Sequence, residues 1–160
     1  AAAFEENGQA YLGQLETLNG WIHENVDAVP QAERLLVTSH DAFGHMVDAL
    51  GLVYVGAVIP STDDSAEASA AQMGERPGWV GAAGVQAVCA EAAINPSAAE
   101  LIARETGATV YSGDEALYGD SLGPEGSPGA TYIGSQIHNV SLILQSWGVT
   151  PTPVPTELTE

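Results

Sequence analysis

The chain has 160 residues, 45% of them hydrophobic, and a formal net charge of −18. That is the length of one domain with enough apolar content for a core, and no apolar run approaches the length of a membrane span. With 21 acidic residues against Arg34, Arg76 and Arg104 and no lysine, nucleic-acid binding is excluded, because gripping a phosphate backbone takes clustered Lys and Arg.

The acidic balance favours cations near the surface and solubility, and it is the composition expected of an acid-biased or halophilic proteome. No secretory leader with a charged start and an apolar stretch is visible at Ala1, which by itself assigns no compartment. The single cysteine, Cys89, lies in the apolar run Val85 to Ala90. It has no internal disulfide partner and is expected to be a buried, inert thiol.

Residues 3–29 read as one long helix. Phe4, Tyr11, Leu12, Leu15, Leu18, Trp21, Ile22 and Val26 recur at three- and four-residue intervals and form one apolar stripe. Gly8, Gly13 and Gly20 each weaken it by about 1 kcal/mol against alanine, so the helix depends on packing, and Pro30 ends it. His23 falls among polar neighbours and is expected to be solvated. Strand one follows over 34–40: Leu35, Leu36 and Val37 form an apolar run suited to a strand covered on both faces. Thr38, Ser39, His40 and Asp41 then place four polar side chains at its carboxyl end. A helix follows from Asp41, a fitting N-cap, to Leu50, with Gly51 as C-cap.

Strand two runs from Leu52 to Ile59 and stops at Pro60. After a polar loop over 61–65, a short helix is expected from Ala66 to Met73, then an irregular segment around Arg76-Pro77-Gly78-Trp79. Strand three is Val85 to Ala90, ending at Glu91. A helix from Pro96, suited to a first turn, to Thr106 is stopped by Gly107. Strand four is Ala108 to Tyr111. A long loop, Ser112 to Gly129, leads to a last helix from about Ala130 to Trp147. From Val149 to Glu160, Pro151, Pro153 and Pro155 alternate with Thr and Val, which predicts an extended, polyproline-like flexible tail without a packed core.

Strands alternating with helices through short connections predict an α/β fold: a four-stranded parallel sheet with flanking helices, a Rossmann-like lobe, preceded by a long helix. The expected division is 1–29 for the long helix, 30–148 for the lobe and 149–160 for the tail. Such a sheet sends His40, Glu91 and the loop containing Asp120 to one carboxyl edge, where ligands bind in open α/β sheets. One imidazole with one or two carboxylates makes a mixed nitrogen/oxygen donor set suited to zinc or manganese. There is no local metal motif, neither paired histidines nor paired cysteines, so an ordinary polar rim remains open beside a metal site. No nucleophile elbow is present, no glycine loop cradles phosphate, and the adjacent Ser39, His40 and Asp41 diverge too much for a relay. No catalysis is expected.

Several stretches in order carry a resemblance: Val37-Thr38-Ser39-His40-Asp41-Ala42-Phe43-Gly44, Gly51 to Gly56, Ala90-Glu91 through Asn95-Pro96, Ile102 to Gly107, Asp120-Ser121-Leu122-Gly123, Gly126-Ser127, Thr131 to Gly134 and His138-Asn139-Val140. Together they resemble the metal-binding solute-binding proteins of zinc and manganese ABC importers, over residues 4–148, with 1–29 resembling the helix that joins that family's two lobes. The resemblance implies a metal held between two α/β lobes. It places His40 and Asp120 as the C-terminal lobe's ligands, and histidine at position 40 as the zinc-leaning pattern, with manganese the alternative. Glu91 is not at a usual ligand position and is kept as a supporting or alternative ligand.

The resemblance further implies a membrane ABC permease as partner, and a periplasmic or extracellular location, with anchoring through a segment ahead of this one. An N-terminal lobe is expected to complete the site, since two donors leave a zinc shell open. His23, His45 and His138 do not replace that lobe's histidines; His45 is expected to be packed and His138 to serve the core or surface. The alternative function is a metal-free, adhesin-like interaction module on the same lobe.

Overall fold

The leucine–valine run at 35–38 is the centre of the fold. In the computed structural model, which describes residues 2–58, 81 and 84–159, Leu35–Thr38 forms strand β1, preceded by helix α1 over Ala2–Asp27. Helix α2 follows over Gly44–Leu50, then β2 over Val53–Ala57, β3 over Ala87–Cys89, helix α3 over Ser97–Thr106, β4 over Thr109–Tyr111 and helix α4 over Tyr132–Ser146. The strands are parallel and lie in the order β2-β1-β3-β4. This is the expected α/β class. Each strand is shorter than the span expected for it, the ladder covering only part of each stretch. The expected helix over 66–73 and the irregular segment around 76–79 lie outside the described residues, as does the far end of the second strand's run at Ile59.

Side chains alternate across the sheet and both faces are covered. Leu36 and Cys89 join one core with Leu18, Trp21 and Val26 of α1 and Val140, Ile143 and Leu144 of α4. Val37, Val88 and Ala90 point the other way, onto Ala99 and Ile102 of α3. The register of β1 on β2 jumps between Leu36 and Val37, so that Val37 pairs with Gly56 rather than Val55. Gly56 takes φ 148° there, a backbone open in practice only to glycine, and it absorbs the extra residue as a bulge.

Helix ends follow the expected glycines: Gly51 (φ 58°) and Gly107 (φ 77°) close α2 and α3 in the left-handed conformation. The start of α2 does not follow expectation. Asp41 is not its cap; Phe43 is, with no side-chain cap bond. After His40 the chain first turns back, Ala42 N–H donating to the His40 carbonyl at 3.2 Å, and this delays the helix by a few residues.

Cys89 is buried and unpaired, and burial pushes its thiol up to about 12. A thiol-specific chromogenic disulfide at pH 8 should therefore leave the folded chain unmodified and react fully once denaturant is added. Rapid reaction of the folded chain would contradict this burial. The linkage has a sign. The folded pKa is raised, so this group's stabilisation is complete below the ordinary thiol value of about 8.5 and is lost as pH climbs towards the folded one.

The last dozen residues differ most from expectation. Residues 149–155 are extended, but the segment is not a free tail. Val149 and Val154 pack on the core beneath α1 and α4, and Leu158, in a 3-10 turn over Thr156–Leu158, is buried. Asn25, itself buried at 4% exposure, accepts from Thr152 N–H at 2.7 Å and donates to Thr152 Oγ1 at 2.9 Å. Trp21 Nε1 donates to the Thr152 carbonyl at 3.2 Å. The segment is a strap across the carboxyl-terminal half of α1. Alternating proline keeps it extended, and its spaced apolar residues dock. The apolar stripe of α1 is buried only from Leu18 onward; Phe4, Tyr11 and Leu12 are exposed.

Candidate functional site

The strand order creates a crevice. From β1 the chain crosses to β2 on one side, and β3 sits on the other. The carboxyl ends of β1 and β3 therefore flank the topological switch point, where open α/β sheets bind ligands. Ser39 and His40 leave β1 there, and Glu91 leaves β3 directly opposite.

The two strand tips are laced together. Ser39 N–H donates to the Cys89 carbonyl at 3.0 Å. Ser39 Oγ donates to Glu91 Oε1 at 3.1 Å and accepts from Glu91 N–H at 3.1 Å. His40 N–H donates to the same Oε1 at 3.3 Å. Beneath them, Thr38 Oγ1 donates to the His40 carbonyl at 2.7 Å. Thr38, Ser39, His40 and Glu91 are all buried, and such groups must find partners within the protein.

His40 is held from its Nδ1 side. That nitrogen lies 2.6 Å from Glu91 Oε1, off the line of an aligned ring hydrogen bond, so the contact acts through charge and proximity. On the opposite side Nε2 lies 3.8 Å from Asp120 Oδ2, whose carboxylate is largely exposed. Burial pushes the Glu91 carboxyl above the usual carboxylate range, opposed by His40 and by the hydrogen bonds from Ser39 and His40. A buried carboxylate behind an imidazole, with the other ring nitrogen facing outward, is the arrangement that orients a histidine for a metal ion.

Asp120 arrives on a loop anchored to the same strand tip. Leu117 forms a parallel bridge with Glu91, through Leu117 N–H to the Ala90 carbonyl and Ala92 N–H to the Leu117 carbonyl, both at 2.9 Å. Gly119 then passes so close to Glu91 that a Cβ there would stand 2.7 Å from Oε2. Because Oε1 is held by Ser39 and His40, the carboxylate has little room to give way. Gly119→Ala should therefore disturb the His40–Glu91 contact, visible as a shift of the His40 ring proton resonances. An unchanged His40 spectrum would argue against the contact.

The structure thus brings His40, Glu91 and Asp120 together. Among the described residues, no group of three or more His, Cys, Asp or Glu side chains is arranged to hold a metal ion; the outward pair is His40 Nε2 with Asp120. The other histidines lie elsewhere. His23 sits on α1, 3.2 Å from Asp27. His138 is half-buried, its Nε2 at 2.9 Å from the Ala116 carbonyl and its ring against Tyr118. His45 is exposed on α2, contrary to the expectation that it is packed. It lies in the first turn of α2, a short helix that buries only Leu50.

Two supporting side chains carried no role in the sequence reading. Ser39 is expected as one of four polar side chains at the strand tip, unsuited to a relay; the structure makes it the lace between strand tips. Asn139, at 0% exposure on α4, accepts from Tyr118 N–H and donates to the Tyr118 carbonyl, each at 2.8 Å. A signal existed: an asparagine within the stripe of Ile133, Val140, Ile143 and Leu144 must be bonded if buried.

A family model described as zinc-uptake complex component A, periplasmic, matches residues 1–146. The zinc-binding protein TroA of Treponema pallidum is 33% identical over 144 residues, covering 88% of this chain and 46% of the relative. The manganese-binding lipoprotein MntA of Halalkalibacterium halodurans is 31% identical over 140 residues, covering 88% and 45%. The solved structure of the periplasmic zinc-binding protein TroA from Treponema pallidum superposes with a TM-score of 0.75 at 30% identity, covering 90% of this chain and 52% of that one. The chain spans about half the length of the curated relatives it matches.

Proposed function

We propose, from the premise that this chain belongs to the family of zinc-uptake complex component A proteins, that it carries the C-terminal half of the metal site of an extracytoplasmic solute-binding protein, which captures a divalent ion and delivers it to an ABC permease in the membrane. The metal is cargo, and no bond-making chemistry is involved. His40 Nε2 and Asp120 are the donors on this side, Glu91 orients the imidazole, and a further lobe closes the shell.

The observation that carries this reading is the 3.8 Å between His40 Nε2 and Asp120 Oδ2. In a tetrahedral zinc shell, two donors each at about 2.0–2.2 Å stand about 3.3–3.6 Å apart. A movement of a few tenths of an ångström by the exposed Asp120 carboxylate brings this pair to that spacing, with Glu91 beside the ring's other nitrogen. Relatives are named for zinc, for manganese and, in the iron-binding protein YfeA of Yersinia pestis, for iron. For this chain zinc is favoured over manganese because imidazole suits a borderline-soft ion better than a hard one. Among the described residues no helix is long and apolar enough to cross a membrane, and delivery relies on docking to the permease.

Titrating Zn2+ against the chain and against His40→Ala, in competition with a weak chromogenic zinc chelator, tests the reading. With only half a shell, binding is weak in the parent chain. His40→Ala should lower it further, by about tenfold or more, since one of two donors is lost. Equal affinity in the two chains would sink the metal reading and leave the metal-free interaction module.

A further inference from the structure

We propose that Asn139 is the positioning residue that sets the Asp120 carboxylate against His40, acting through the backbone of Tyr118. The inference rests on the reading of His40 and Asp120 as metal donors. The Asp120 carboxylate is 69% exposed and lies 3.8 Å from His40 Nε2. No hydrogen bond from a described side chain holds it. Its place is therefore set by the backbone that carries it, two residues after Tyr118.

That backbone is held unusually well for a loop. The Asn139 carboxamide grips residue 118 by both polar groups, Oδ1 accepting from its N–H and Nδ2 donating to its carbonyl, each at 2.8 Å. The carboxamide acts as a strand partner one residue long, and the two contacts fix which end of it is oxygen. Asn139 is wholly buried on a fifteen-residue helix, so the grip does not shift with solvent.

The phenol side is fixed as well. A Cβ at Gly123 or Gly129 would collide with the Tyr118 ring, and Gly123 N–H donates to the Gly129 carbonyl at 2.8 Å, closing the loop over it. The His138 ring lies against the phenol with centroids 4.9 Å apart. Upstream, Leu117 is bridged to Glu91, and downstream Gly119 abuts the Glu91 carboxylate. Loosening residue 118 is expected to free Asp120 first, because Ser39, His40 and Glu91 are also tied to one another across the strand tips. A buried amide that spends its hydrogen bonds on a single loop residue beside a ligand position is a support for that ligand, as outer-shell groups are for metal sites generally.

The test is a double-mutant cycle on the full chain. Zn2+ affinity is measured by chelator competition for the parent, Asp120→Ala, Asn139→Ala and the double variant, with His40→Ala alongside. Asp120→Ala and Asn139→Ala should each weaken zinc binding by about 10–100-fold, as loss of a ligand's support does. The double variant should bind no more weakly than Asp120→Ala alone, because Asn139 acts through Asp120. The visible absorption of Co2+ bound to Asn139→Ala should match that of Asp120→Ala.

Zinc affinity of Asn139→Ala equal to the parent's, or a loss that adds in full to that of Asp120→Ala, overturns the proposal. Unchanged affinity in His40→Ala overturns the donor reading beneath it, which is a separate result. Should Asn139→Ala fail to fold by circular dichroism, Asn139→Asp takes its place in the same cycle. It keeps an acceptor for Tyr118 N–H but sets a second carboxylate oxygen against the Tyr118 carbonyl, so the attraction on that side becomes repulsion and the grip on residue 118 is lost.

Discussion

A chain ended after Gly148 should lose about 3–7 kcal/mol of stability and melt roughly 6 °C or more below the parent. The loss has three parts. Leu158 is buried to 9% exposure, and burying a leucine is worth about 1.5–3 kcal/mol. The bonds of Thr152 to Asn25 and Trp21 contribute about 0.5–1.5 kcal/mol each. Removing the strap also uncovers Asn25, whose side chain keeps only its Nδ2 bond to the Trp21 carbonyl at 2.8 Å. For a domain of this size each kcal/mol shifts the melting temperature by about 2–4 °C. Thermal melts by circular dichroism give the total, and amide exchange over residues 18–26 locates it. A truncated chain that melts with the parent and keeps its α1 protection would show that the strap adds nothing. Asn25→Ala in the full chain should reproduce about 1–3 kcal/mol of the loss.

Glu91→Gln should weaken Zn2+ binding by about 10–100-fold with little change in melting temperature. Glutamine has the shape of glutamate, and its carbonyl can still accept from Ser39 Oγ and His40 N–H, the contacts at 3.1 and 3.3 Å that tie the strand tips. What disappears is the charge 2.6 Å from His40 Nδ1. Without it the imidazole is a poorer electron donor at Nε2 and its orientation is no longer imposed, and loss of such support typically costs that range of affinity. Chelator competition measures the first effect and a thermal melt the second. An unaltered zinc affinity would remove Glu91 from the site and leave it as a tie between strands. A collapse of the fold would show that its charge is needed for structure before function.

Why Glu91 belongs to the site was only partly legible from the chain. Alternating apolar strands and glycine-ended helices announced the α/β class, and His40, Glu91 and Asp120 were visible as polar residues at strand ends. The order β2-β1-β3-β4 was not. Strand neighbours are chosen by non-local packing, which local periodicity does not encode, and only that order turns Glu91 into the residue facing His40. Asn25 and Asn139 were hidden for a related reason. Each sits inside an apolar helical stripe, so burial was readable, but the partner of a buried amide lies far along the chain. Asp41 misled because a good capping residue caps only if the helix starts beside it, and the turn after His40 moved that start to Gly44. Alternating proline does impose extension on the strap, but an extended segment can still pack. Val149, Val154 and Leu158 were the sign that it docks.

The strap also sets an order of events when the protein is made. Asn25 and the threonine that grips it are separated by 127 positions. At ribosomal speeds of about 5–20 residues per second, α1 emerges roughly 6–25 s before its fastening does. For most of that interval Trp21, Ile22 and Val26 have neither the strap nor α4 to cover them. The carboxyl-terminal half of α1, tied down in the finished fold, thus waits for its fastening until the last residues of this stretch have been made.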